Sequence, residues 1–417
     1  MPAHGRHAPE RSRAGVKVAV SSALALAAGA GLITGGFLPA LGGGSSDPIR
    51  TAAEASPATD TTEPDAPPTK APLTVGTTTP PLPQPEFEVE PLAPGERPPQ
   101  FVVVSFDGSC ETTDGIMRHY LDTAASVDGN FVFNLSGLCV LPRNDQKFNY
   151  QPPGRPAGSS DIGFAVPEWV SSRILTWTEA YRTGHEIATH YLGHFCGPNG
   201  VQTWSTADWA SEIEQFNGFL TDWPIHNPDL AHLDPLPFDP SVIKGGRTPC
   251  LEGQRDQMYP AMVAAGYTYE ASNSGKLAWP KKVTGYDLWD FPLQQIRLDG
   301  HGFNVLSMDY NFLANLNAGQ TEAPPAKCAE IEETVYRSYL KAAEALYRGN
   351  RAPFFIGNHF NEWACGAFTD SLTRFISDFH RKHPDVRFVT NVQLEQWLEA
   401  QDPAVLAQLQ ALPPQTY

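Results

Sequence analysis

Two histidines four residues apart, His190 and His194 in the stretch GHEIATHYLGHFCG, are the pair in this chain best spaced to share one divalent cation. On a helical turn that spacing puts both imidazoles on one face with neighbouring Cβ atoms, so both reach a single metal. A histidine pair on a helix face also serves as surface polarity or as part of a core. His185 lies five residues before His190 and points elsewhere. Three further residues stand where strands of a parallel α/β protein end, the place where ligands meet such folds. Asp107 follows QFVVVSF, Arg247 follows two glycines in GGRTPCLEG, and His359 closes RAPFFIGNHF. The aspartate is placed for chemistry or for capping the next helix. The arginine's planar fork suits a carboxylate held bidentately, or else the residue is an exposed loop arginine.

Two other hydrolytic constellations are absent. No GxSxG elbow occurs, which removes the serine hydrolases of that type. In HEIATH the second histidine comes one residue too late for the HExxH of zinc proteases, and a helix would set His185 and His190 roughly 140° apart.

The elements that must carry these residues alternate between strand and helix. Short β-branched and aromatic runs at 100–106 and 130–135 read as buried strands, with others at 266–271, 289–293, 304–308, 351–360 and 386–390. Helical periodicity fits 113–123, 169–183, 205–220, 257–265, 330–348, 371–380 and 392–400. HEIATH reads as a short strand or turn, which places HxxxH on the first turn of a following helix. Six to eight such units predict a parallel α/β fold, a distorted (β/α) barrel, with a doubly wound open sheet as the alternative.

The N-terminus has the pattern of an export segment. Arg6, Arg11, Arg13 and Lys17 precede an uncharged run from Val18 to Leu41, so residues 1–41 read as a cleaved signal peptide or a retained membrane anchor. Residues 42–98, rich in Pro and Thr, lack the apolar content to repay ordering and read as a disordered linker. One domain is expected over 99–405, with a tail at 406–417. A net charge of −17 argues against nucleic acid as a partner. Six cysteines without any CxxC predict three disulfides in an exported domain, with Cys328–Cys365 the favoured pair.

Taken in order, SFDGS, the HxxxH pair, GGRTP, WDFPL and IGNHF resemble the motif series of the polysaccharide deacetylases, the NodB-homology carbohydrate esterases that include chitin deacetylases. The closest stretches are YRTGHEIATHYLGH, GGRTPCLEG, LWDFPL and YRGNRAPFFIGNHF, and the resemblance covers about residues 100 to 400. It implies metal-dependent removal of N-acetyl groups from a chitin-like or peptidoglycan substrate by a monomer. By position, His190 and His194 become metal ligands, for Zn2+ in the first instance. Asp107 becomes the base, Arg247 its orienting partner and His359 the acid, with Asp290 a candidate to orient His359. The family's first motif carries two adjacent aspartates, and here the second is Gly108. Loss of that anionic ligand weakens divalent metal binding unless Glu111 or Asp107 supplies the oxygen. The rival reading is therefore a degenerate relative that binds glycan or acts as an envelope scaffold; an O-deacetylase would use the same residues.

Overall fold

The computed structural model describes residues 84–417 except residue 113. The expected leader, apolar run and most of the linker lie outside the described residues. The strands are β1 (Gln100–Asp107), β2 (Val132–Leu135), β3 (Glu186–Thr189), β4 (Tyr269–Glu270), β5 (Ser274–Gly275), β6 (Lys281–Lys282), β7 (Trp289–Asp290), β8 (Leu293–Arg297), β9 (Asn304–Leu306), β10 (Phe354–His359) and β11 (Val386–Phe388). The helices are α1 (Ile116–Ala125), α2 (Pro167–Arg182), α3 (Thr206–Thr221), α4 (Trp223–His226), α5 (Arg255–Ala264), α6 (Asp309–Leu316), α7 (Pro325–Arg348), α8 (Trp363–Lys382), α9 (Asn391–Glu399) and α10 (Pro403–Ala411).

All eight residues of β1 are buried, as a strand flanked on both edges and covered on both faces requires. It pairs in parallel with β10 along residues 102–107, with β2 at its C-terminal end and with β11 at its start. From β1 the backbone hydrogen bonds run round a closed circuit: to β2, to β3, and from Thr189 to the segment at Gly246. They continue from Lys244 and Gly246 to the residues flanking β4, then through β7, β8 and β9. The Gly357 N–H closes the ring onto the Ser307 carbonyl, beside the parallel bridge of Met308 to Gly357. The fold is thus α/β, a distorted barrel whose second half is built from strand fragments. Glycine is needed at 246, where a Cβ would stand 1.9 Å from the Thr189 carbonyl oxygen. That close approach lets Arg247 follow immediately after an isolated bridge, where the sequence suggests a strand end.

The helices bury their apolar stripes on this ring. In α3 a Ser205–Asp208 capping box starts the helix, and Trp209, Ile213, Phe216, Phe219 and Leu220 face inward. Glu212 is the exception on that face, with no accessible surface.

Three expectations are corrected here. Residues 84–98 lie on the domain rather than trailing as linker: Leu92 is buried, its N–H donates to Gln401, and Gln84 donates to the carbonyls of Tyr181 and His185. A Pro-rich composition hid these anchors. The tail at 406–417 is also ordered, since α10 runs to Ala411 and the Tyr417 hydroxyl accepts from the Arg297 N–H. His190 and His194 lie on an irregular loop after β3 rather than on a helical turn, with Tyr191 and His194 at φ of 58° and 54°.

Three disulfides are present: Cys110–Cys139 and Cys196–Cys250 tie segments beyond strand ends, and the expected Cys328–Cys365 joins α7 to α8. Among the described residues no helix is long and apolar enough to cross a membrane.

Candidate active site

Asp107 is the last residue of β1, and its register partners on either side are Asn134 in β2 and His359 in β10. Its Oδ1 accepts from Asn134 Nδ2 at 2.8 Å and from Arg247 Nη1 at 2.8 Å. Both charged side chains of this ion pair are about 2% exposed or less, so neither can be left uncompensated without a large cost. The guanidinium is itself held from three directions. Its Nε donates to the Ala271 carbonyl, and Nη1 also donates to Ser105 Oγ at 2.9 Å. The exposed-loop alternative for Arg247 is excluded by this geometry.

His359 ends β10 one strand away. Its Nδ1 lies 2.8 Å from Asp309 Oδ1, and Asp309 has no accessible surface. The same carboxylate accepts from the His359 N–H, the Tyr310 N–H and Asn361 Nδ2, at 2.7–2.8 Å. So many donors fix the imidazole's orientation and the tautomer with a proton on Nδ1. The other side of the ring faces Trp363, with centroids 5.6 Å apart. Asp290, expected to orient His359, is corrected to Asp309. Its own Oδ1 accepts from Asn273, and burial together with the charge of neighbouring Glu270 pushes its carboxyl up to about 6.

The two histidines of the loop are brought together, with ring centroids 5.1 Å apart. His190 Nδ1 lies 2.9 Å from the Arg247 carbonyl oxygen, which can only accept, so this nitrogen carries the proton and Nε2 is the one suited to a cation. His185 takes no part. Its Nδ1 accepts from the Phe131 N–H inside the core, and burial drives the ring down to about 4, leaving it neutral. The Cys196–Cys250 bridge and the Gly197 N–H donating to Glu252 fasten this loop to the one that carries Arg247.

His190 and His194 could offer two imidazoles to a divalent cation, while Gly108, next to Asp107, has no side chain to add to them. Gly108 has φ of 70°, and a Cβ built there would meet nothing within 4 Å. Space for a side chain exists, on a backbone that aspartate tolerates better than most residues. Glu111 does not substitute. Its carboxylate accepts from the N–H groups of Thr112, Met117 and Arg118, satisfying the N-terminus of α1. His194, Cys196 and Cys250 offer three donor atoms within 4.8 Å, but the two sulfurs are bonded to each other and provide no thiolate.

Sequence reasoning missed Asn134, Ser105 and Asp309. The first two face into the barrel from strands that read simply as apolar runs. Asp309 follows NVLSM directly, so the same strand-end rule that singled out Asp107 would have found it.

No family model matches the chain, and no curated relative does. Solved structures with some likeness include a Mycobacterium smegmatis protein described as a candidate polysaccharide deacetylase. It is 15% identical, with 79% of this chain and 98% of that one covered and a TM-score of 0.43. The Xyl-CE4 domain of a xylanase from the hindgut metagenome of Trinervitermes trinervoides is 12% identical, with 76% and 95% covered and a TM-score of 0.36. A CE4 family pseudoenzyme from Bacillus anthracis is 9% identical, with 73% and 69% covered and a TM-score of 0.36. At these values the likeness assigns no role to any residue.

Proposed function

We propose that the chain is a polysaccharide deacetylase that hydrolyses N-acetyl groups on a chitin-like or peptidoglycan substrate, with a divalent metal held by His190 and His194. Zn2+ is among the ions that suit imidazole donors and is the one tested first. The observation that carries this reading is the register pairing of Asp107 with His359, each tied to a buried partner of opposite charge, Arg247 and Asp309. Neighbouring strands lie about 4.8 Å apart, a separation that one acetamide group spans.

A bound metal would polarise the acetamide carbonyl and lower the pKa of water beside it. Asp107 takes the proton of the attacking water as its oxygen bonds to the carbonyl carbon. Arg247 and Asn134 occupy Oδ1 and hold the carboxylate in place for that transfer. His359 gives a proton to the departing nitrogen as the C–N bond breaks, yielding acetate and a free amine. Asp309 stabilises the imidazolium form that this requires. The half-buried Trp363 ring beside His359 offers an apolar face to a pyranose ring.

Gly108 supports a second reading, in which the chain grips glycan without cleaving it. Three disulfides fit an oxidising compartment, so the protein acts outside the cytoplasm, secreted or held by its N-terminal segment.

Metal analysis of the purified protein, with acetate release from chitooligosaccharide, peptidoglycan and acetylated xylan, separates these readings. Stoichiometric metal is expected, with acetate release that falls about 10²–10⁴-fold in Asp107→Asn. Metal-free protein that binds oligosaccharide and releases nothing would replace catalysis by binding. A large rise in metal affinity in Gly108→Asp would identify the native site as two-ligand and weak.

A further inference from the structure

The loop that carries the two histidines is held in a costly shape. Two of its non-glycine residues, Tyr191 and His194, have left-handed backbone, a conformation that persists only where the surroundings enforce it. Gly193 between them has no room for a side chain, since a Cβ would stand 2.4 Å from the Phe195 ring and 2.5 Å from the Tyr150 hydroxyl.

The enforcing group comes from α3. Glu212 Oε1 accepts the consecutive N–H groups of Leu192 and Gly193 at 3.1 and 3.2 Å. The Tyr150 hydroxyl lies 3.0 and 2.9 Å from the two carboxylate oxygens. Both side chains sit among apolar residues with no accessible surface. A buried carboxylate on the apolar face of a helix is expensive, and nothing in the packing of α3 calls for one. What it meets is the pair of amides midway between His190 and His194. Without it, two buried donors would lack their acceptor.

We infer that Glu212, braced by Tyr150, is a positioning residue for the histidine pair, fixing the loop so that both imidazoles address one divalent cation. The inference rests on reading His190 and His194 as metal ligands. Glu212 touches neither the imidazoles nor any reacting atom in this arrangement; it acts through the backbone between them.

The test uses the full chain and four variants: Glu212→Ala, Glu212→Gln, Tyr150→Phe, and Phe219→Leu as a control that disturbs the same helix. Amide hydrogen exchange reads the loop, titration with Zn2+ alone reads the site, and thermal melting reads overall stability. In Glu212→Ala the Leu192 and Gly193 amides should exchange about 10- to 100-fold faster relative to those of β3. Zn2+ affinity should fall about 10- to 100-fold, the range for groups that orient metal ligands. Glu212→Gln retains an acceptor oxygen and should recover most of both, with Tyr150→Phe intermediate. Phe219→Leu should lower the melting temperature and leave both readings unchanged. Unaltered exchange at Leu192 and Gly193 in Glu212→Ala, or an equal effect in Phe219→Leu, would overturn the role of Glu212. Absence of Zn2+ binding in the parent protein would instead overturn the metal reading, and exchange alone would then decide the bracing. Should Glu212→Ala not fold, Glu212→Asp, one methylene short of the amides, gives the same readings.

Discussion

Asp107 and His359 stand side by side on β1 and β10, yet the chain supports them in opposite ways. The aspartate lies in a closed setting, its charge offset by a guanidinium that is itself fixed by a serine and a main-chain carbonyl. The histidine is 18% exposed at its side chain, and its inner nitrogen is tied to a carboxylate that accepts from three further donors. The first arrangement sets a guanidinium against a carboxylate inside the protein. The second leaves an imidazole partly exposed beside a buried carboxylate. On the proposed function the closed setting holds the base and the more open one presents the acid.

Removing a clamp should therefore cost different things on the two sides. Arg247→Met strands a buried Asp107 charge, and denaturant unfolding should show a loss of about 3–5 kcal/mol, with acetate release abolished. Asp309→Asn leaves the fold nearer to native, with a loss of about 1–3 kcal/mol for donors left without an acceptor. Acetate release should nevertheless drop about 10²-fold, because His359 loses both its orientation and its counter-charge. If Asp309→Asn kept full activity, the clamp on the acid side would be structural only.

The smallest effect is expected at Asp290, the carboxylate that stands outside both clamps. Its pKa is raised on folding, so the folded state favours the protonated form. Stability on its account is full below about pH 4 and is lost as pH rises through about 6. Asp290→Asn should accordingly raise the melting temperature at pH 8, give no gain at pH 4, and leave acetate release within about twofold.

The contrast between Asp309 and Asp290 also shows where the sequence stops being readable. Both directly follow or end apolar strand runs, and composition cannot say which carboxylate turns toward β10. That is decided by β7 pairing with β4, which sets Asp290 beside Glu270, and by Met308 bridging to Gly357, which sets Asp309 beside His359. The strands and long helices were legible because their periodicity follows from burial on one face, and the strand-end residues Asp107 and His359 followed from that, whereas Arg247 follows an isolated bridge rather than a strand. The shape of the histidine loop was not, since left-handed residues at 191 and 194 come from tertiary partners distant in the chain. Glu212 did leave a trace: it falls three residues after Trp209 and one before Ile213, on the apolar stripe of α3.

The disulfides give the site a dependence on where the chain is. Each closes a loop of 29 to 54 residues and, by loop-closure entropy, contributes about 3–4 kcal/mol. Two of them bind together the segments that bring Asp107, Asn134, His190 and Arg247 into contact, and the third joins α7 to α8. In a reducing cytoplasm the barrel would lack those ties, leaving the rim that carries the candidate site loose. If the proposed function holds, oxidation would complete the site and tie hydrolytic capacity to an oxidising compartment.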